Sequence, residues 1–259
     1  MSATTVIRNA RLVNEGRIIE SDILLKAGRI EKISIDIEAP AGAEVVDANG
    51  RYLLPGMIDD QVHFREPGLT HKGDFYSESR AAIAGGVTSY MEMPNSKPPT
   101  TNVEQLEWKY ARAAETSAAN YGFYFGATND NIENIRALDP ALTCGLKVFM
   151  GASTGNMLVD NESTLASIFR DSPVMIATHC ESTPMIMANV KKAAAKFGKN
   201  IPVTEHARIR SAEACYASSE LAVALANKYD SQLHVLHIST ARELDLFKPG
   251  PIDGKSITA

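Results

Sequence analysis

The sequence predicts an α/β fold: a TIM-like (β/α)-barrel sheet, incomplete in this chain, preceded by part of a small β-sandwich. Three observations lead there. Before Pro55, short strand-like runs follow one another across tight turns with no helical stretch between them. After Pro55-Gly56, short apolar runs alternate with longer helix-like stretches, the pattern of βα units around a parallel sheet. No GxGxxG follows an early strand, so six such units in succession favour a barrel over a doubly wound sheet.

The N-terminal domain is expected over residues 1–54. Thr5 to Val13 has strand composition and stops at the turn Asn14-Glu15-Gly16. Ile18 to Lys26 follows and ends at Ala27-Gly28, and a third run carries Ile30, Lys32, Ile33 and Ile35. After Pro40 and Gly42, Glu44-Val45-Val46 and, past Asn49-Gly50, Tyr52-Leu53-Leu54 complete a sandwich or meander.

The barrel domain is expected over residues 55–259. Its strands are predicted at Met57–Phe64, Val87–Met93, Tyr121–Ala127, Gly145–Met150, Val174–His179 and Leu233–Ile238. Helices are predicted at Gly73–Ala84, Val103–Ala118, Glu162–Arg170, Thr183–Phe197 and Ser211–Lys228. A seventh strand begins at Ser256-Ile257-Thr258-Ala259. A whole barrel takes about 250 residues, whereas about 205 follow Pro55. The expectation is a chain cut before the barrel's last strands.

Composition narrows the function classes. A formal charge of −5 without a local basic stripe argues against nucleic-acid binding. Apolar runs fall far short of the ~20 residues a membrane-spanning helix needs, and Met1 to Val13 lacks a secretory pattern. Three scattered cysteines, Cys144, Cys180 and Cys215, indicate neither a disulfide framework nor a zinc ribbon. The expected setting is the cytoplasm, with a small-molecule substrate and a homodimer as the partner state.

In a barrel the active site lies at the C-terminal ends of the strands, so polar residues there carry the argument. On the first strand Asp59, Gln61 and His63 share one face, opposite Val62 and Phe64. A lone strand histidine usually serves as a hydrogen-bonded structural group; a polar triplet on one face points to a ligand as readily. On the fourth strand, Lys147 interrupts the apolar run Gly145 to Met150. It either snorkels to an edge or is a buried amine able to take up carbon dioxide as a carbamate. The fifth strand contributes His179. Cys180 beside it is turned away by alternation. On the sixth, His234 and His237 are three apart and face opposite sides; His237 is taken as the inward one and His234 as structural. His63, Lys147, His179 and His237 at equivalent strand ends suit one or two divalent transition metals, with zinc favoured by imidazole.

Pro55-Gly56-Met57-Ile58-Asp59-Asp60-Gln61-Val62-His63-Phe64-Arg65-Glu66-Pro67-Gly68 resembles the PGxIDxHxHxREPG signature of dihydroorotases, in the cyclic amidohydrolase superfamily. Glu92-Met93-Pro94-Asn95-Ser96-Lys97-Pro98-Pro99-Thr100 is similar to the family's MPNTxPxT segment. The resemblance implies a metal-dependent (β/α)8 barrel with a sandwich built from both termini. It implies His63, a carboxylated Lys147, His179 and His237 as zinc ligands, and Arg65 and Asn95 as substrate-binding residues. The family's catalytic aspartate would lie beyond residue 259. Gln61 stands where the family has its first strand histidine, which leaves one or two ions open. The implied reaction is reversible closure of N-carbamoyl-L-aspartate to L-dihydroorotate in pyrimidine biosynthesis. Two alternatives stand beside it: an allantoinase or hydantoinase, which Arg65 disfavours, and a non-catalytic partner of aspartate transcarbamoylase, which Gln61 favours.

Overall fold

The computed structural model describes residues 4–151, 153 and 155–259; the first three residues of the expected N-terminal domain lie outside them. The chain divides into two compact units, one ending at Met57 and one running over Ile58–Ala259.

The first unit is one mixed sheet. β1 (Thr4–Asn14), β2 (Arg17–Lys26) and β3 (Arg29–Ser34) form the antiparallel meander that the turns predict. Glu15 and Gly16, then Ala27 and Gly28, take the positive φ values that let the chain reverse so tightly. β4 (Glu44–Asp47) and β5 (Tyr52–Leu53) do not continue the meander. The chain crosses over through residues 35–43, and β4 and then β5 line the free edge of β1, parallel to it. Buried Asp22 ties that crossover down, accepting from Ile37 N and Asn9 N at 3.0 Å each.

The second unit is a seven-stranded sheet of β6 (Met57–Val62), β7 (Val87–Glu92), β8 (Asn120–Gly126), β9 (Gly145–Phe149), β10 (Ile176–His179), β11 (Leu233–Val235) and β12 (Ile257–Thr258). The strands lie side by side in chain order, with parallel register from β7 to β12. A doubly wound sheet would reverse its order at a switch point. This one never reverses, so it curls as part of a barrel.

Five helices form where the sequence places them: α1 (Phe75–Ala84), α2 (Val103–Thr116), α4 (Glu162–Asp171), and, both between β10 and β11, α5 (Thr183–Phe197) and α7 (Ala212–Tyr229). Asp74, Asn102, Asn161 and Ser211 cap four of them through their side chains. Two short helices, α3 (Ile132–Arg136) and α6 (His206–Ile209), are additional. At 5 and 4 residues they are too brief to leave a 3.6-residue period in sequence.

Alternation along the strands sorts the core. Phe123, Phe125, Leu146, Val148, Ile176 and Leu233 point outward into the main apolar cluster shared with the helices. Met93, Tyr124, Ala177 and Leu236 form a smaller cluster inside the curl. Lys147 is in register with Ala177, and Ala177 with His234, so these three share the inner row.

Candidate active site

His63 and Asn95 join the two motifs. Beyond β6, Phe64 turns outward, its ring 4.4 Å from that of Tyr90, and His63 turns to the other face. Its Nδ1 lies 2.8 Å from Asn95 Oδ1. An amide oxygen can only accept, so Nδ1 carries the proton and Nε2 keeps its lone pair. Burial first, then the Arg65 charge, hold His63 down at about 4, leaving it neutral at pH 7. The loops carrying these residues dock closely. Lys97 N donates to Pro67 O at 3.0 Å. Gly68 has φ +80°, and a Cβ there would lie 2.0 Å from Lys97 O; only glycine fits.

Arg65 occupies the left-handed region at φ +73°, a conformation that costs a non-glycine residue roughly 1–2 kcal/mol. On the neighbouring strand Glu92 is 2% exposed and ion-paired with buried Lys109; burial pushes its carboxyl up to about 7 despite the Lys109 charge. Lys109 also donates to Met93 O at 3.2 Å. A surface pair between Arg65 and Glu66 does not form. Buried Glu66 instead accepts from Phe75 N at 2.9 Å and Arg112 Nε at 2.7 Å. Among the described residues Arg65 makes no ion pair, so its guanidinium is free for a ligand.

Lys147 is 1% exposed and its Nζ has no hydrogen-bond partner among the described residues; it sits 4.7 Å from the centre of the Phe149 ring. Burial pulls its amine down to about 7. A partnerless ammonium in an apolar interior is costly, and the buried-amine reading of the sequence matches this environment better than snorkelling does. Burial first, and the Lys147 charge among lesser causes, lower the pKa of His63, His179, His234 and His237.

At the ends of β10 and β11, Glu181 accepts from His179 Nε2 at 2.9 Å and is ion-paired with Arg210. A carboxylate that accepts at Nε2 leaves the lone pair on Nδ1. His179 Nδ1 in turn accepts from His237 Nε2 at 3.0 Å. Two nitrogens bound to one tetrahedral zinc at 2.0–2.1 Å would be about 3.3 Å apart, so the pair is close to ligating geometry. Among the described residues no three His, Cys, Asp or Glu side chains group as a metal centre. Cys180 is turned into the outer core, its thiol donating to Thr178 Oγ1 at 3.2 Å.

His234 and His237 both face the inside of the curl, against the strand alternation that would set them on opposite faces. Strand geometry ends at Val235, and His237 takes φ +40°. That left-handed residue swings its ring inward although His234 already lies on the inner row. His234 is bonded to Thr258 Oγ1 at 2.8 Å, which fits a structural role. Sequence reasoning missed Glu181, although its position two residues after His179 puts it on the same face. Arg210, Glu92 and Lys109 left no comparable local signal.

Residues 50–149 match the family described as "Dihydro-orotase-like". The chain is 35% identical over 253 residues to a dihydroorotase of Halobacterium salinarum, covering 95% of this chain and 56% of that protein. It is 31% identical over 259 residues to an allantoinase of Streptomyces avermitilis, covering 98% and 57%. The solved L-hydantoinase of Arthrobacter aurescens superposes with TM-score 0.88 at 29% identity, covering 95% of this chain and 55% of that one. The chain thus spans little more than half the length of the curated relatives it matches. Dihydroorotases, allantoinases and hydantoinases resemble it to a similar degree. Together with the His63–Asn95 and His179–His237 pairs around Lys147, these matches make the chain a member of the cyclic amidohydrolase superfamily.

Proposed function

We propose that the protein is a zinc-dependent dihydroorotase of the cytoplasm, interconverting N-carbamoyl-L-aspartate and L-dihydroorotate in pyrimidine biosynthesis. The observation that carries this reading is Arg65: a guanidinium with no ion pair among the described residues, two residues from His63, where a substrate carboxylate can be gripped bidentately. A hydantoin ring without that carboxylate gives such a group nothing to hold.

The donor set suits a divalent ion. His179 and His237 would hold it with Lys147 as its carbamate, and His63 Nε2 is the further imidazole. Bound there, the ion would polarise the scissile carbonyl and lower the pKa of water. The protein's own groups do the rest. Glu181 fixes the His179 tautomer so that Nδ1 faces His237, and Arg210 holds Glu181 in place. Asn95 does the same for His63, and its amide nitrogen is left to donate to substrate. Because burial holds the Lys147 amine down to about 7, a substantial neutral fraction at pH 7 has its lone pair available for carbon dioxide.

A hydantoinase-type reading is favoured by the close superposition on L-hydantoinase. The full-length protein, Arg65→Lys and Arg65→Met separate the two when assayed on dihydroorotate and on unsubstituted dihydrouracil. Each charge-assisted hydrogen bond lost is worth about 1.5–3 kcal/mol. Arg65→Lys should thus lower kcat/KM for dihydroorotate roughly 10- to 100-fold, and Arg65→Met further. Metal content should stay unchanged. Equal turnover of both substrates, with both falling equally in Arg65→Met, would replace the dihydroorotase reading by the hydantoinase one.

A further inference from the structure

We propose that Asn131, just before α3, is a positioning residue: it clamps the turn over residues 93–101 to the end of β8 and so holds Asn95 against His63. The inference rests on the dihydroorotase reading of Asn95 and His63. The turn first closes on itself, with Ser96 N and Thr100 N both donating to Pro94 O at 2.9 Å. Its outer limb is then tied to β8, where Gly126 N donates to Thr100 O at 2.8 Å. The Asn131 side chain completes the tie. Its Nδ2 donates to Gly126 O at 2.9 Å and to Thr101 O at 3.2 Å, while Oδ1 accepts from Thr128 N at 2.8 Å. Both amide donors are thereby spent on joining the two segments.

Asn131 stands at the N-cap position of α3 but makes no side-chain cap bond there. Asn102 and Asn161, at the same position of α2 and α4, turn their oxygens onto their own helices. The Asn131 amide is turned onto the Asn95 turn instead. The surfaces it draws together are in close contact: a Cβ on Gly126 would lie 3.1 Å from Pro94 Cβ and 2.8 Å from Met157 Cε. Pro94 is thus seated on the β8 main chain, and Asn95 follows it directly. From there Asn95 Oδ1 reaches His63 Nδ1 at 2.8 Å, a contact that weakens once the turn drifts by a few tenths of an ångström.

The test follows the His63 ring in the full-length, metal-free protein by side-chain nitrogen NMR, with the signal assigned through His63→Gln. Wild type should show one fixed tautomer, Nδ1 protonated and Nε2 bare. Asn131→Ala removes the clamp, and isosteric Asn131→Asp keeps the acceptor for Thr128 N but loses both donors. Both variants should move His63 to the pattern of a ring exchanging between tautomers. In the metal-loaded protein both should lower kcat/KM for dihydroorotate about tenfold, the lower end of the loss when a supporting group goes. Asn161→Ala removes an ordinary cap and should lower the melting temperature without moving His63. Asn95→Ala is the control: if it leaves the His63 signal and kcat/KM unchanged, the reading of Asn95 itself is wrong. If it changes them, the positioning role is overturned by an Asn131→Asp protein that keeps the fixed tautomer or wild-type kcat/KM. A His63 shift of equal size in Asn161→Ala also overturns it, since destabilisation alone would then suffice. Should Asn131→Ala not fold, Asn131→Asp decides alone.

Discussion

Lys147 can be tested through stability, apart from any catalysis. Its amine moves from 10.5 to about 7 on burial. At 1.36 kcal/mol for each pKa unit, that is about 5 kcal/mol of disfavour toward the ammonium in the fold. The unfolded chain binds the proton up to pH 10.5 and the folded chain only below about pH 7. Between those values the unfolded state holds more protons, so this group's contribution to stability rises with pH. The penalty is full below pH 7 and fades as pH approaches 10.5. Lys147→Met removes it while roughly conserving volume. In metal-free, carbon-dioxide-depleted buffer the variant should exceed wild type by about 5 kcal/mol at pH 6 and by roughly 1.5 kcal/mol at pH 9.5. Urea denaturation at the two pH values reads the gap directly. Any packing gain of the methionine is common to both, so a gap that changes by less than about 1 kcal/mol between them would refute the buried, titrating amine.

Glu181→Ala removes the acceptor of His179 Nε2; loss of such an outer partner typically weakens a metal site 10- to 100-fold, which titration of the metal-free protein with Zn2+ would register, and unchanged affinity would show that Glu181 does not orient the ring. Two glycines contrast strain with collision. Gly68→Ala meets Lys97 O at 2.0 Å and should destabilise by about 3 kcal/mol or more. Gly28→Ala also has positive φ but nothing within 4 Å, and should cost only about 1–2 kcal/mol. Urea denaturation ranks the two, and equal losses would mean that the docking of the two loops is not tight.

The strand and helix grammar was legible because each element carries its own period. α5 is recovered end to end at Thr183–Phe197, and β9 differs from expectation by one residue at Met150. The parallel return of β4 and β5 was not legible, since pairing partners leave no mark within a short apolar run. The convergence of the site residues followed from strand ends alone, yet the pairs within it did not. Nothing in the local sequence joins Asn95 to His63 or Arg210 to Glu181, for these contacts depend on how separate loops close. The inward turn of His237 was hidden by the strand rule itself, which holds only while the residue stays extended. Lys109 reads as a surface lysine of an amphipathic helix until Glu92 is seen opposite it.

The unbroken order of β6 to β12 bears on how the molecule is made. Each strand hydrogen-bonds to the one synthesised just before it, with helical segments between. No strand in this unit must wait for a distant partner, so closing each βα step costs only the loop entropy of a few tens of residues. The sheet can therefore accrete in step with translation, every new unit docking on an edge already in place. Along that order the segment after β6 supplies His63, β9 supplies Lys147, and the ends of β10 and β11 supply His179 and His237, so the site residues are laid down one strand at a time.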